Sequence, residues 1–337
     1  MKFQKRTYLL VLVFIAFGLV SCKNNLKEHN PSGLTAQAVY STPKGFETLV
    51  NAAYSYQRWV YGKFEGELMT EMGTDLWMSG HDNPDHSMMN YNNLQGTDSK
   101  LEQLWKELYA GINVCNYGIT NINKSGLSPN LQTTREAELR FLRAEYYWLL
   151  TETWGPVPFS LKPTRSIKTK TSRTPVDSIY AQIFKDLKYA DANLPVTQSD
   201  YGRATKPAAE AMLARMYLTR GENKEAFDMA TKVINNYNFK LLPNYANLWK
   251  MDNQQNSEVI YAVTYSDNKK LNDTKNPILY PYGSNRGGNN LPVDFVMWYF
   301  QQPGMQLSAK YGRPFQRFMP TLHLLNLYNG KIDSRYH

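Results

Sequence analysis

From Glu136 to Phe159 the chain reads EAELRFLRAEYYWLLTETWGPVPF, and apolar side chains fall on nearly every side of a helical wheel. Phe141, Ala144 and Trp148 recur at i, i+3 and i+7, and Leu142, Tyr146 and Leu149 form a second row. The pattern predicts a central helix packed on several faces rather than a surface helix with one apolar stripe. Glu136 and Arg140 stand four apart in the favourable acid-first order. The charges nearer the middle of the run, Glu138, Arg143 and Glu145, are expected to find partners inside the fold. Gly155-Pro156 ends the helix, because proline has no N–H and pushes the residue before it towards extended geometry.

Other helices follow from the same periodicity. Thr42 can cap a helix with Pro43 in its first turn, continuing through Phe46, Leu49, Val50 and Ala53. A second stripe, Leu101, Leu104, Trp105, Leu108, Ile112 and Cys115, predicts a helix over 101–122 that packs on the central one. After a basic, threonine-rich connection over 156–174, Thr174-Pro175 opens another helix that Pro195 closes. Residues 206–236 read as helix, turn at Gly221, helix. Within that hairpin Ala214, Tyr217 and Ala226 lie three and twelve residues apart, as small and aromatic positions do in tetratricopeptide-like pairs. A partly solenoidal bundle of such pairs is expected. The pattern then changes: Ser257–Tyr265 alternates like a short strand, 266–292 is rich in Asn, Gly and Pro, and 291–300 and 320–328 carry short apolar runs. Residues 62–80 and 78–98 read as long loops.

The N-terminus adds a different kind of information. Lys2, Lys5 and Arg6 precede an apolar run over 8–20 that is too short to span a bilayer, followed by Leu19-Val20-Ser21-Cys22. This is the pattern of an export signal whose cleavage leaves Cys22 as a lipid-bearing first residue. Cys115, the only other cysteine, then has no disulfide partner, so stability must come from the core. The formal net charge of +9 is spread without a run of five like charges, so no nucleic-acid arm is present. Twenty-four Tyr and 7 Trp suit either helix interfaces or a ligand platform.

FLRAEYYWLLTETWGPVPF resembles the signature of the SusD/RagB family. LWKELYAGINVCN at 101, RTPVDSIYAQIFKDLKYADANLP at 173 and YGRATKPAAEAMLARMYL at 201 are similar to further family segments in the same order. The ending PT…LY…DSR resembles an internal family segment, which implies a chain shortened at its C-terminus. The resemblance implies a mainly α fold of tetratricopeptide-like hairpins with an irregular, loop-rich ligand-binding part. The expected organisation is a lipoprotein signal over 1–21, a lipidated tether over 22–41, a helical domain over 42–265 and an incomplete loop-rich domain over 266–337. It also implies a lipid-anchored, surface-exposed lipoprotein of the outer membrane of Bacteroidota. Such a protein captures glycans for a SusC-like TonB-dependent transporter and is not an enzyme. Peptide capture and a pure scaffold role for the transporter are alternatives. A surface glycosidase ranks last, because no facing pair of carboxylates stands out.

Sugar capture needs aromatic faces for the C–H surfaces of pyranose rings, with carboxylates or amides for the hydroxyls. Two clusters qualify: Asp75, Trp77, His81, Asp82 and Tyr91 in the first long loop, where the resemblance places ligand-contacting loops, and Tyr280, Tyr282, Trp298 and Tyr299 in the later half. Trp77 and Trp298 serve equally well as core residues. His81, His86, Asp82 and Asp85 have zinc-compatible donors but no fixed spacing and read as solvated loop; no metal or other cofactor is expected. Met69, Met72, Met78, Met88 and Met89 are either an adaptable contact surface or core filling under the loop.

Overall fold

The computed structural model describes residues 35–82, 86–167, 169–266, 289, 291–308, 313–333 and 335. Cys22 with the expected signal, and Tyr280 and Tyr282, lie outside these residues. The last residues of the expected tether form a one-turn helix α1 (Ala36–Tyr40), begun by Thr35, whose side chain accepts from the Ala38 N–H.

Helix α2 (Pro43–Ser55) starts where its cap dictates: the Thr42 side chain accepts from Gly45 N, with Pro43 in the first turn. A second group follows: α3 (Phe64–Thr70), strand β1 (Trp77–Ser79), α4 (His86–Asn90) and α5 (Ser99–Asn121). The central helix α6 (Pro129–Trp154) begins seven residues before Glu136, with proline in its first turn, and stops at Gly155. Helices α7 (Val176–Asn193), α8 (Lys206–Thr219) and α9 (Asn223–Asn236) complete the stack. α6 packs on α5, α7 and α2, while α8 lies between α7 and α9, so helices adjacent in sequence are neighbours in space. That is the logic of a solenoid. Gly221 makes the α8–α9 turn at φ 75°, a conformation that costs a glycine little.

The apolar surround of α6 has the expected result. Leu139, Phe141, Leu142, Tyr146 and Leu150 are all buried. Its central charges are paired: Arg143 makes a two-pronged contact with Asp186 of α7, Glu138 accepts from Tyr54, Arg135 and Arg203, and Glu145 accepts from Gln57. None of the helices among the described residues is long and apolar enough to cross a membrane.

The later half contributes α10 (Leu291–Phe295), β2 (Phe318–Pro320) and α11 (Leu322–Leu327). β1 and β2 pair antiparallel, Trp77 opposite Pro320, Met78 opposite Met319 and Ser79 opposite Phe318. Beneath them a second, smaller core gathers Phe64, Leu68, Met72, Met88 and Phe318. Met69 and Met89 pack against it and Met78 stays exposed, so four of the five loop methionines are filling.

Three expectations need correction. Residues 62–80 are not one loop: Phe64 and Leu68 stand one helical turn apart on α3 and both enter the second core. Residues 78–98 likewise contain α4, held by buried Met88. Ser257–Tyr265 alternates but forms no strand. It runs along helices instead of beside another strand: Tyr261 rests on Phe141 and donates to Gln57, and the Thr264 carbonyl accepts from Arg58.

Candidate functional site

The β1–β2 ladder brings His81 of the first sequence cluster beside Trp298 of the second, although they lie more than two hundred residues apart in the chain. Past β1 the chain crosses over the backbone preceding β2 so closely that a Cβ on Gly80 would sit 1.8 Å from the Gln316 carbonyl oxygen. Only glycine fits there. Gly80 N–H donates to the Arg317 carbonyl at 2.8 Å. The next residue, His81, is exposed, and its ring lies 4.0 Å from that of Trp298, tilted by 48°.

Trp298 is held from the other side. Its N–H donates to the Gln316 side chain at 3.3 Å, and Phe315, Gln316 and Arg317 donate backbone hydrogen bonds to Val293, Val296 and Asp294. Gln316 takes φ 52° to make this turn. Phe300, partly exposed, lies 6.2 Å from Trp298 and extends the aromatic surface. Tyr299 turns its hydroxyl to Ser308, accepting from the backbone N–H at 2.9 Å.

Under the pair sits Arg317. Its guanidinium lies 4.6 Å from the centres of both the Phe64 and Phe315 rings. It donates to the fully buried Asp294 carboxylate and, through Nε, to the Asp82 carbonyl, both at 3.2 Å.

The remaining sequence candidates take other positions. Trp77 is half-buried, edge-on to Phe295 at 4.9 Å, as a wall of the second core. Asp75 is exposed: its carbonyl accepts from the Thr321 hydroxyl and its carboxylate lies 3.6 Å from His323. Tyr91, at φ 58°, donates to the Gly73 carbonyl. Of the zinc-compatible residues, His81 is engaged with Trp298, whereas Asp85 and the His86 side chain fall outside the described residues.

Sequence reading missed Gln316, Arg317 and Phe300. The only trace of Arg317 was its place between aromatics in PFQRF, which carries no periodicity. A separate open cavity of about 730 Å³ is walled by Trp148, Tyr261, Tyr265 and Trp249. Glu145 lies along it, and burial lifts its carboxyl to about 7 against the opposing hydrogen bonds from Gln57 and Tyr61 and the charge of Arg215.

Residues 30–218 match the SusD-like family described as "Starch-binding associating with outer membrane". The chain belongs to the SusD-like family. SusD-like protein P25 of Formosa agariphila is 26% identical over 279 residues, covering 79% of this chain and 52% of that protein. The starch-binding protein SusD of Bacteroides thetaiotaomicron is 26% identical over 204 residues, 58% of this chain and 35% of its own. Among solved structures, a laminarin-binding SusD-like protein superposes with TM-score 0.62 at 27% identity, over 66% of this chain and 51% of that one. The SusD-like chain spans about half the length of the first curated relatives it matches.

Proposed function

We propose that this SusD-like chain is a non-catalytic glycan-binding lipoprotein. Cys22 anchors it to the outer membrane, facing outward, and it passes oligo- or polysaccharide to a SusC-like TonB-dependent transporter. The observation that carries the reading is the His81–Trp298 pair, an exposed imidazole lying against a half-buried indole beside the β1–β2 ladder. An indole face covers the axial C–H groups of a pyranose while leaving hydroxyls free for polar neighbours. Phe300 lengthens the surface beyond one ring. The starch-binding description of the family and the laminarin-binding relative support a glucan as the ligand class.

Native affinity electrophoresis in gels containing soluble starch or laminarin tests the reading. The protein is expected to be retarded by at least one glucan, and Trp298→Ala is expected to weaken binding by about tenfold, ~1.4 kcal/mol. Unretarded migration in both gels sinks the glucan reading, and binding of a peptide panel instead would move the function to peptide capture. Co-purification of the lipidated protein with an outer-membrane barrel tests the transporter partnership separately.

A further inference from the structure

We infer that Arg317 is the positioning residue of the glycan platform: it brackets His81 from both sides and so fixes the imidazole against Trp298. The inference rests on the glycan-binding reading for its consequence but not for its geometry. His81 stands between two residues that are both tied to Arg317, since Gly80 N–H donates to the Arg317 carbonyl and Arg317 Nε donates to the Asp82 carbonyl. Arg317 N–H is itself bonded to the Asp294 carbonyl, four residues before Trp298, and its guanidinium to the Asp294 carboxylate. One residue therefore joins the His81 side of the pair to the Trp298 side, its main chain bonding Gly80 and Asp294 and its side chain bonding the Asp82 carbonyl and the Asp294 carboxylate.

The chemistry requires a guanidinium. Two acceptors in different directions must be served at once by a group that is flat enough to lie between two phenyl rings, Phe64 and Phe315. Lysine offers one compact ammonium that meets Asp294 or Asp82 but lacks the fixed fork to hold both. Loss of the Asp82 bond frees one side of His81, while the β1–β2 ladder and the second core keep their own bonds. Arg317 is thus expected to govern ligand affinity out of proportion to its effect on stability.

The test is an Arg317→Lys variant of the full chain, read in two ways. The first is binding in starch and laminarin gels beside His81→Ala, Trp298→Ala and the double variant Arg317→Lys/His81→Ala. Arg317→Lys is expected to weaken binding about tenfold, with little further loss in the double variant, because groups acting through one another are not additive. The second needs no glycan. An imidazole in ring contact quenches indole emission, so His81→Ala should raise tryptophan emission in the parent protein and leave it unchanged in the Arg317→Lys background.

Undiminished binding together with an intact His81-dependent quench in Arg317→Lys overturns the inference. If the parent protein binds neither glucan, the functional reading fails, and if Trp298→Ala binds as tightly as the parent, the site lies elsewhere; in either case the quench still decides the role of Arg317. Should Arg317→Lys not fold, Arg317→Met/Asp294→Asn removes both charges of this ion pair together and still breaks the Asp82 bond. The same two readings then apply.

Discussion

Arg143 shows what a charge in the middle of a buried helix requires. Both it and Asp186 are almost wholly inaccessible to water. Arg143 Nε and Nη2 each reach an Asp186 oxygen at 2.8 Å, and Nη1 reaches the Asn116 side-chain Oδ1 at 2.8 Å. Arg140 and Gln182 donate to the same carboxylate. Removing one member of such a pair leaves the other as an uncompensated buried charge. Arg143→Met is expected to lower stability by about 3 kcal/mol, the low end of the range because Arg140 remains. Arg143→Met/Asp186→Leu should recover more than half of that in urea titrations. That the central charges pair inside could be read from the sequence, and Glu136 with Arg140 could be named from helical spacing. Asp186, 43 residues from Arg143, could not, because a partner on another helix is fixed by how the helices pack rather than by spacing along the chain.

Helix α5 meets α6 through glycines. A Cβ on Gly118 would lie 2.5 Å from Leu139 Cδ1 and 2.8 Å from Leu49 Cδ2, and one on Gly111 would lie 2.8 Å from the Tyr146 ring. Alanine raises helix propensity over glycine by roughly 0.5–1 kcal/mol, while overpacking a filled core costs typically 1–3 kcal/mol. At Gly118 two buried leucines crowd the same point, so overpacking wins: Gly118→Ala is expected to lower the urea midpoint at unchanged m-value. Elements of this kind were legible wherever apolar period and end signals agreed, as with Thr42-Pro43 for α2 and Pro195 after α7. They were not legible where one residue pattern serves two geometries. Ser257–Tyr265 alternates because Tyr261 and Tyr265 both turn inward onto helices, Tyr265 donating to the Tyr61 carbonyl, and a period of two records which side is covered without saying by what. α3 escaped because its single helical turn of apolar contact, Phe64 and Leu68, belongs to a core completed only by Phe318.

For the molecule as a whole, two carboxyls among the described residues stand out in the pH response. Burial lifts Glu145 to about 7, and burial together with neighbouring Glu71 lifts Glu67 to about 7. An unfolded glutamate titrates near ~4.3, so between there and 7 the native state holds protons that the unfolded chain has released. Stability is then highest below that window and falls as pH rises through it, with a slope of at most ~1.4 kcal/mol per pH unit for each group. Glu145→Gln mimics the neutral acid, so its melting temperature should exceed the parent's at pH about 8 and approach it only near pH about 4, below the unfolded value; parallel melting curves across that range would refute the assignment. The candidate site was legible only as two lists of loop residues. His81 and Trp298 each stood in one of them, but their contact depends on the pairing of Ser79 with Phe318, a closure across most of the chain that neither loop encodes alone. That closure also orders events in time. The helical stack is made of neighbours in sequence and can form early, whereas joining segments so far apart must overcome a large loop-closure entropy before any contact repays it. In refolding experiments the proposed sugar binding should therefore return after helicity does, and during synthesis the ribosome must deliver Phe318 before His81 has a surface to complete.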